Sequence, residues 1–238
     1  MPREELRGDP DSVARWLADH PGDLRELFTT SLRLDAAQGL GYPPRVTSAP
    51  GTSTPISEPI TSGRLEMPLL SEPHLAQLAE GNAGGAATDL DAQLSPEWAA
   101  GVRRLAGFRL RQVRQTPTDA PWLLRPILLR EGRIAAGHIN FHGPPDERGV
   151  PEIGYTVLPL YRRHGYATEA VRALFDWAAQ EHSVRRFRAS VSPDNAASLG
   201  LIGKLGFTQT GDQWDEEDGL ELVFEADWPP AGGGSPGS

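Results

Sequence analysis

Tyr155-Thr156-Val157-Leu158-Pro159-Leu160-Tyr161-Arg162-Arg163-His164-Gly165-Tyr166-Ala167-Thr168-Glu169-Ala170 decides the reading of this chain. An apolar strand runs into a short turn with the pattern Arg-Arg-x-Gly-x-Ala, and a helix begins at once. Ala167, Ala170, Val171, Leu174 and Ala178 fall at i, i+3, i+4, i+7 and i+11, one continuous helical face. A turn of this kind aims several backbone N–H groups at one spot. The helix adds its unpaired first-turn donors and the positive end of its dipole. The result is an anion site suited to a pyrophosphate. Gly165 lets the backbone come close, Ala167 is small enough for the same purpose, and Arg162 and Arg163 add charge. The alternative is an ordinary strand-to-helix turn with solvated arginines. No G-x-x-x-x-G-K-[S/T] loop and no G-x-G-x-x-G fingerprint occurs.

Outward from this turn the pattern is mixed α/β. Leu65, Met67 and Leu69 alternate, so a first strand begins near Arg64. Leu75, Leu78 and Ala79 suggest a short helix. Pro96 opens a longer one with Trp98, Val102, Leu105 and Leu110 as its apolar stripe. Residues Trp122–Leu129 and Ile134–Phe141 read as strands joined by a tight turn at Glu131-Gly132. Glu152–Val157 is a fourth strand. After the helix, Phe187, Ala189 and Val191 alternate with polar residues as a fifth strand. Asn195–Leu205 is a helix, capped by Asp194 or Asn195 and closed by Gly206; Phe207–Thr210 and Leu220–Ala226 are the last strands. A strand–helix–strand unit over 152–191 implies a parallel crossover, and the flanking hairpins make the sheet mixed.

The composition bounds the rest. The chain has 238 residues, 38% hydrophobic and 23% charged, with Gly and Pro together about a fifth. It holds no cysteine, which excludes disulfides, thiolate catalysis and cysteine metal sites. No run approaches the ~20 apolar residues that cross a bilayer, and Met1–Glu5 opens no signal peptide, so a cytoplasmic protein without a membrane partner is expected. A net charge of -9 argues against general nucleic-acid binding. Only Lys204 among 23 basic residues is lysine.

Residues 1–42 read as a small extension of two short helices, with Val13, Trp16 and Leu17 in one and Leu24, Leu27 and Phe28 in the other. The segment is too small to bury a core alone, so docking on the main domain or on a second subunit, as in a homodimer, is expected. Residues 43–63 read as a Pro/Ser/Thr-rich linker, 64–229 as the principal domain, and 230–238 as a disordered Gly/Pro/Ser tail.

The order E-I-G-Y-x-V-x-P-x-Y-R-R-x-G-Y-A-T-E-A closely resembles the acyl-CoA motif of the GNAT superfamily, R/Q-x-x-G-x-G/A, which falls on Arg162, Gly165 and Ala167. Asn195-Ala196-Ala197-Ser198 and Lys204-Leu205-Gly206-Phe207 resemble the family's N-x-x-S/A helix and K-x-G-F ending, and Arg64-Leu65-x-x-Pro68-Leu69 its first strand. The resemblance covers about Arg64 to Trp228 and is closest to the branch of the ribosomal-protein N-terminal acetyltransferases.

It implies a GNAT fold: a mixed, mostly antiparallel α/β sheet, splayed between the fourth and fifth strands and flanked by helices. It further implies an acetyl-CoA-dependent N-acetyltransferase without a metal, whose acceptor is a primary amine on a protein N-terminus or a small molecule. Acetyl-CoA would contact Val157, Arg162, Arg163, His164, Gly165, Tyr166, Ala167, Thr168 and Asn195. Glu152, acting through water, is the candidate base; its alternative is a surface glutamate paired to an arginine. The family's tyrosine acid, seven residues after the asparagine, is replaced here by Ile202, leaving Ser198 as a weak donor or departure of CoA as thiolate. That departure motivates a second reading, a catalytically silent acyl-CoA-binding interaction module. His138 and His142, four apart on a strand, would stand roughly 13 Å apart and read as polar lining rather than a shared metal site. Glu169 reads as support for the helix N-terminus.

Overall fold

The computed structural model describes residues 58–216 and 219–230. The two helices expected within residues 1–42, most of the linker and nearly all of the tail lie outside these residues. The folded unit begins earlier than residue 64. Ile60–Thr61 (β1) pairs antiparallel with Leu65–Met67 (β2), so the end of the expected linker is a strand. Arg125–Leu129 (β3), Ile134–Phe141 (β4) and Ile153–Val157 (β5) complete a five-stranded antiparallel sheet in the order β1-β2-β3-β4-β5. Arg186–Val191 (β6), Thr208–Asp215 (β7) and Gly219–Asp227 (β8) form a second sheet in the order β6-β8-β7.

The helices are Glu72–Glu80 (α1), Ala83–Asp89 (α2), Pro96–Gln115 (α3), Tyr166–His182 (α4) and Ala196–Lys204 (α5). Ser71 caps α1 in a reciprocal capping box with His74, and Ser95 caps α3 ahead of Pro96. Helix α2 has no apolar periodicity to announce it; Asn82 caps it by accepting from Gly85 N–H. The strand expected from Trp122 starts only at Arg125. Residues Pro117–Trp122 form a 3-10 helix instead, because two prolines there cannot donate to a ladder. Its Trp122 packs on Phe141 and Trp177. Strand β7 runs past Thr210 to Asp215, although its largely exposed residues carry no apolar alternation.

The core between sheet and α4 is aromatic. Phe141, Phe175 and Phe187 stack, with the Phe175 and Phe187 centroids 3.8 Å apart, and all three are fully buried. Burying each such ring stabilises the fold by about 1.5–3 kcal/mol. The α4 face anticipated from the spacing, Ala170, Val171, Leu174 and Ala178, is buried as expected. Among the described residues no helix is long and apolar enough to cross a membrane.

Candidate active site

Strands β5 and β6 run parallel and meet at one point, a bridge between Glu152 and Arg188, closed by Arg188 N–H on the Pro151 carbonyl at 3.0 Å. Past that point no bridge joins them, so the two sheets splay toward the C-terminal ends of β5 and β6. Glu152 sits at the closed end of the resulting gap. The bonds from His142 N–H to Glu152 O and from Leu158 N–H to Ala136 O are both 2.8 to 2.9 Å and bracket the β4–β5 ladder. Antiparallel pairs alternate, so the N–H groups of Tyr155 and Val157 point away from β4, into the gap.

Leu158–Gly165 closes the open end. Arg162 turns its guanidinium back to donate from Nε to the Val157 carbonyl at 2.9 Å, which fixes the end of the strand. Arg163 and Gly165 both take positive φ, 66° and 81°, a twist that directs successive N–H groups to one side. Among the described residues no acceptor takes the N–H groups of Arg163, His164, Gly165, Tyr166, Ala167 or Thr168. Arg163 and His164 are exposed, and Tyr166, Ala167 and Thr168 half-buried at the start of α4. Six of the seven residues of the expected anion site, Arg163 to Thr168, thus form one donor-rich turn, while the Arg162 N–H donates to the Pro159 carbonyl.

Arg64 is a contributor that local reading of the turn misses. Its guanidinium donates to the His164 carbonyl at 3.1 Å and to Glu169 at 2.7 Å, and lies over the Tyr166 ring at 4.7 Å. Glu169 also accepts from the Arg64 N–H and from Ser62 Oγ. Burial alone would raise the Glu169 carboxyl; these bonds outweigh it and hold it below the usual carboxylate range. Glu169 therefore supports the helix start, as its position suggested, by tying α4 to the β1–β2 hairpin.

The two sides of β5 differ. Glu152, Gly154 and Thr156 share one face with His138, Asn140 and His142 of the β4 side, to which they are paired. Glu152 is 7% exposed, so it is not the surface glutamate of the alternative reading, and its carboxylate lies 3.7 Å from His142 Nδ1. Buried Arg109 of α3 donates to the His142 carbonyl at 2.8 Å and to Gln112. Gly154 leaves room for the His142 ring; a Cβ there would stand 2.9 Å from Nε2. Tyr155 and Val157 face the other side. There the Tyr155 hydroxyl donates to Ser198 Oγ of α5 at 3.2 Å, across the gap, with both residues buried. Asn195 caps α5 by accepting from Ser198 N–H through Oδ1 at 3.1 Å. Ile202 is buried in the core. Among the described residues no group of three or more His, Asp or Glu side chains could hold a metal.

Burial pushes the His138 imidazole down to about 4, with the Arg109 charge adding to the effect. The unfolded chain takes up a proton near pH 6.5 that the native state refuses until about 4. Stability is therefore whole above 6.5 and falls as pH drops through that window. We expect His138→Gln to flatten this slope in denaturant titrations at pH 7, 6 and 5; parallel slopes for the two proteins would contradict it.

A split sheet with inward N–H groups and a donor-rich turn at the mouth of the split is the GNAT architecture. A putative ribosomal-protein-serine acetyltransferase from Vibrio cholerae superposes with a TM-score of 0.51 at 16% identity, over 72% of this chain and 98% of that one. A ribosomal L7/L12 alpha-N-protein acetyltransferase, solved with coenzyme A, gives 0.50 at 18%, over 71% and 98%. A family model described as an acetyltransferase (GNAT) domain matches residues 69–208. The chain belongs to the GNAT acetyltransferase family. The uncharacterized N-acetyltransferase YjdG of Bacillus subtilis is 37% identical over 81 residues, 34% of this chain and 48% of its own length. The uncharacterized N-acetyltransferase YnaD of the same organism is 29% identical over 113 residues, 43% and 65%. The chain thus spans about half to two thirds of the length of these curated relatives.

Proposed function

We propose that the protein transfers an acetyl group from acetyl-CoA to a primary amine, on a protein N-terminus or a small molecule, by direct attack in a ternary complex. The observation that carries this reading is the run of unclaimed N–H donors from Arg163 to Thr168 at the mouth of a gap lined by the Tyr155 and Val157 N–H groups. The turn suits a pyrophosphate, and the gap suits an extended amide-bearing arm that pairs with strand backbone. Acetyl-CoA, when bound, supplies the thioester carbonyl. The names of the Bacillus subtilis relatives support acetyl transfer.

The chain's own groups divide by face. Glu152, beside His142, takes a proton from the amine through water on one face of the sheet. Ser198 meets the departing sulfur on the other, beside Tyr155. The Val157 N–H stabilises the developing oxyanion between them. Amine approach and thiolate departure on opposite faces fit direct displacement without an acyl-enzyme. Arg162 holds Val157, Arg163 and His164 flank the phosphates, and Asn195 at the start of α5 contacts the arm.

Gly165→Asp places a carboxylate against the donor turn and strains a backbone with φ of 81°. We expect acetyl-CoA affinity to fall by about 10²-fold or more, measured by calorimetry. Gly165→Asn, which tolerates the left-handed region and lacks the charge, should lose far less. Unchanged affinity in a folded Gly165→Asp protein would remove the turn from the site. The core position of Ile202, with no hydroxyl to serve as acid, favours a second reading, a silent acyl-CoA-binding module. Thiol release from acetyl-CoA against an amine panel separates the two: binding with no turnover on any amine selects the module.

A further inference from the structure

We propose that Tyr155 is a positioning residue for acetyl transfer, fixing the Ser198 hydroxyl as a hydrogen-bond donor to the departing thiolate. The inference rests on the acetyltransferase reading above and concerns the step that Ile202 leaves without its usual acid.

The geometry is specific. Tyr155 projects from β5 to the gap side opposite Glu152, and its hydroxyl reaches Ser198 Oγ at 3.2 Å. Ser198 stands in the first turn of α5, where a serine hydroxyl otherwise competes for nearby backbone carbonyls. A Tyr155 O–H that donates to Oγ occupies one of its lone pairs and turns the Ser198 hydrogen away from the ring. Asn195, by accepting from Ser198 N–H, fixes the backbone from which that hydroxyl extends. The contact also spans the split, since Tyr155 belongs to the first sheet and Ser198 to the helix after β6. It thereby ties the acid side of the site to the strand that carries Val157.

Burial raises the Tyr155 phenol, only partly offset by its bond to Ser198, so the ring stays protonated throughout the working range. Passing its proton to a thiolate with a pKa near 8.5 would run uphill. Tyr155 therefore keeps its proton. As the amine nitrogen bonds to the carbonyl carbon, the carbon–sulfur electron pair goes to sulfur. CoA leaves as a thiolate that accepts a hydrogen bond from Ser198 Oγ–H, itself polarised by Tyr155, and takes its proton later from water.

The test is thiol release at saturating acetyl-CoA with the best acceptor found, for wild type, Tyr155→Phe, Ser198→Ala, the double variant, and Ser198→Thr, which keeps a hydroxyl. Calorimetry with acetyl-CoA and a thermal melt accompany each. Tyr155→Phe should lower kcat by roughly tenfold to a hundredfold with acetyl-CoA affinity held within about twofold. The double variant should be no slower than Ser198→Ala, because Tyr155 acts only through that hydroxyl. Ser198→Thr should recover much of the loss of Ser198→Ala. A Tyr155→Phe protein with wild-type kcat overturns the proposal. So does a Tyr155→Phe loss that persists in full in the Ser198→Ala background, which would mark a separate packing role. Should Tyr155→Phe fail to fold, the Ser198 pair decides: equal kcat for Ser198→Ala and wild type overturns it. No thiol release by the wild type overturns the acetyltransferase reading as well, whereas turnover with an inert Tyr155→Phe change leaves that reading standing.

Discussion

Glu152→Gln is expected to lower kcat by about 10² to 10⁴ at neutral pH, the range for loss of a general base. The change keeps size and shape at a buried position at the closed end of the gap, 3.7 Å from His142, and removes only the charge and basicity. An amine of pKa near 10 is under about 1% neutral at cytoplasmic pH, whereas a protein N-terminus near 8 is partly neutral already. The loss should therefore be larger for a high-pKa acceptor, and should shrink as pH rises, because more amine is then neutral without help. The measurement is a pH–rate profile of both proteins from pH 6 to 9 on one acceptor. Coincident profiles would rule Glu152 out. His138 is a poor replacement, since an imidazole titrating near 4 is a weak base for an ammonium group.

Gly137→Ala is expected to destabilise the domain by about 3 to 5 kcal/mol, among the larger effects of single substitutions. Gly137 of β4 stands opposite Val157, and a Cβ there would lie 2.0 Å from the Thr156 carbonyl oxygen and 3.0 Å from Val157 Cα. Both contacts are backbone atoms of a paired strand, so no side chain can swing aside. Relief requires β5 to move off β4, breaking ladder bonds beside the gap and disturbing the bond from Trp98 Nε1 to the Gly137 carbonyl, 2.7 Å long in the core. A melting temperature lower by about 10 °C follows for a domain of this size. A variant that melts within about a degree of wild type would mean that the strands are not so closely apposed. Since Val157 lies on the displaced segment, acetyl-CoA affinity should fall with stability.

Much of the fold is legible because the information is local. The α4 stripe, the alternation along β4 and β6, and Pro96 after Ser95 each declare their element through period or capping. What escaped lacks such signals. Helix α2 reads Ala-Gly-Gly-Ala-Ala-Thr-Asp with no apolar stripe, and β1 is two residues inside a proline-rich stretch. Strand β3 starts late because Pro117 and Pro121 cannot donate to a ladder, although Trp122–Leu124 are as apolar as a strand.

The site divides in the same way. The donor turn from Arg162 to Thr168 and the cap at Asn195 are properties of contiguous chain: a left-handed glycine, a helix start and a short side chain that reaches its own backbone. These followed from sequence alone, together with the family resemblance they carry. The partners of the turn did not. Arg64 and Ser62 reach Glu169 from more than a hundred residues away. Tyr155 read only as part of the fourth strand; α5 brings Ser198, 43 positions on, to its hydroxyl. Glu152 was legible as a carboxylate on a strand, but its burial and the approach of His142 depend on β4 folding back across a loop and on Arg109 holding that loop from α3. Sequence by itself determined most of the strands and helices and the place of the donor-rich turn, because periodicity, caps and φ preferences act over a few residues. Tertiary structure alone decided which buried side chains face each other across the split, because those pairings depend on how two sheets and their helices pack, and no short-range spacing encodes that.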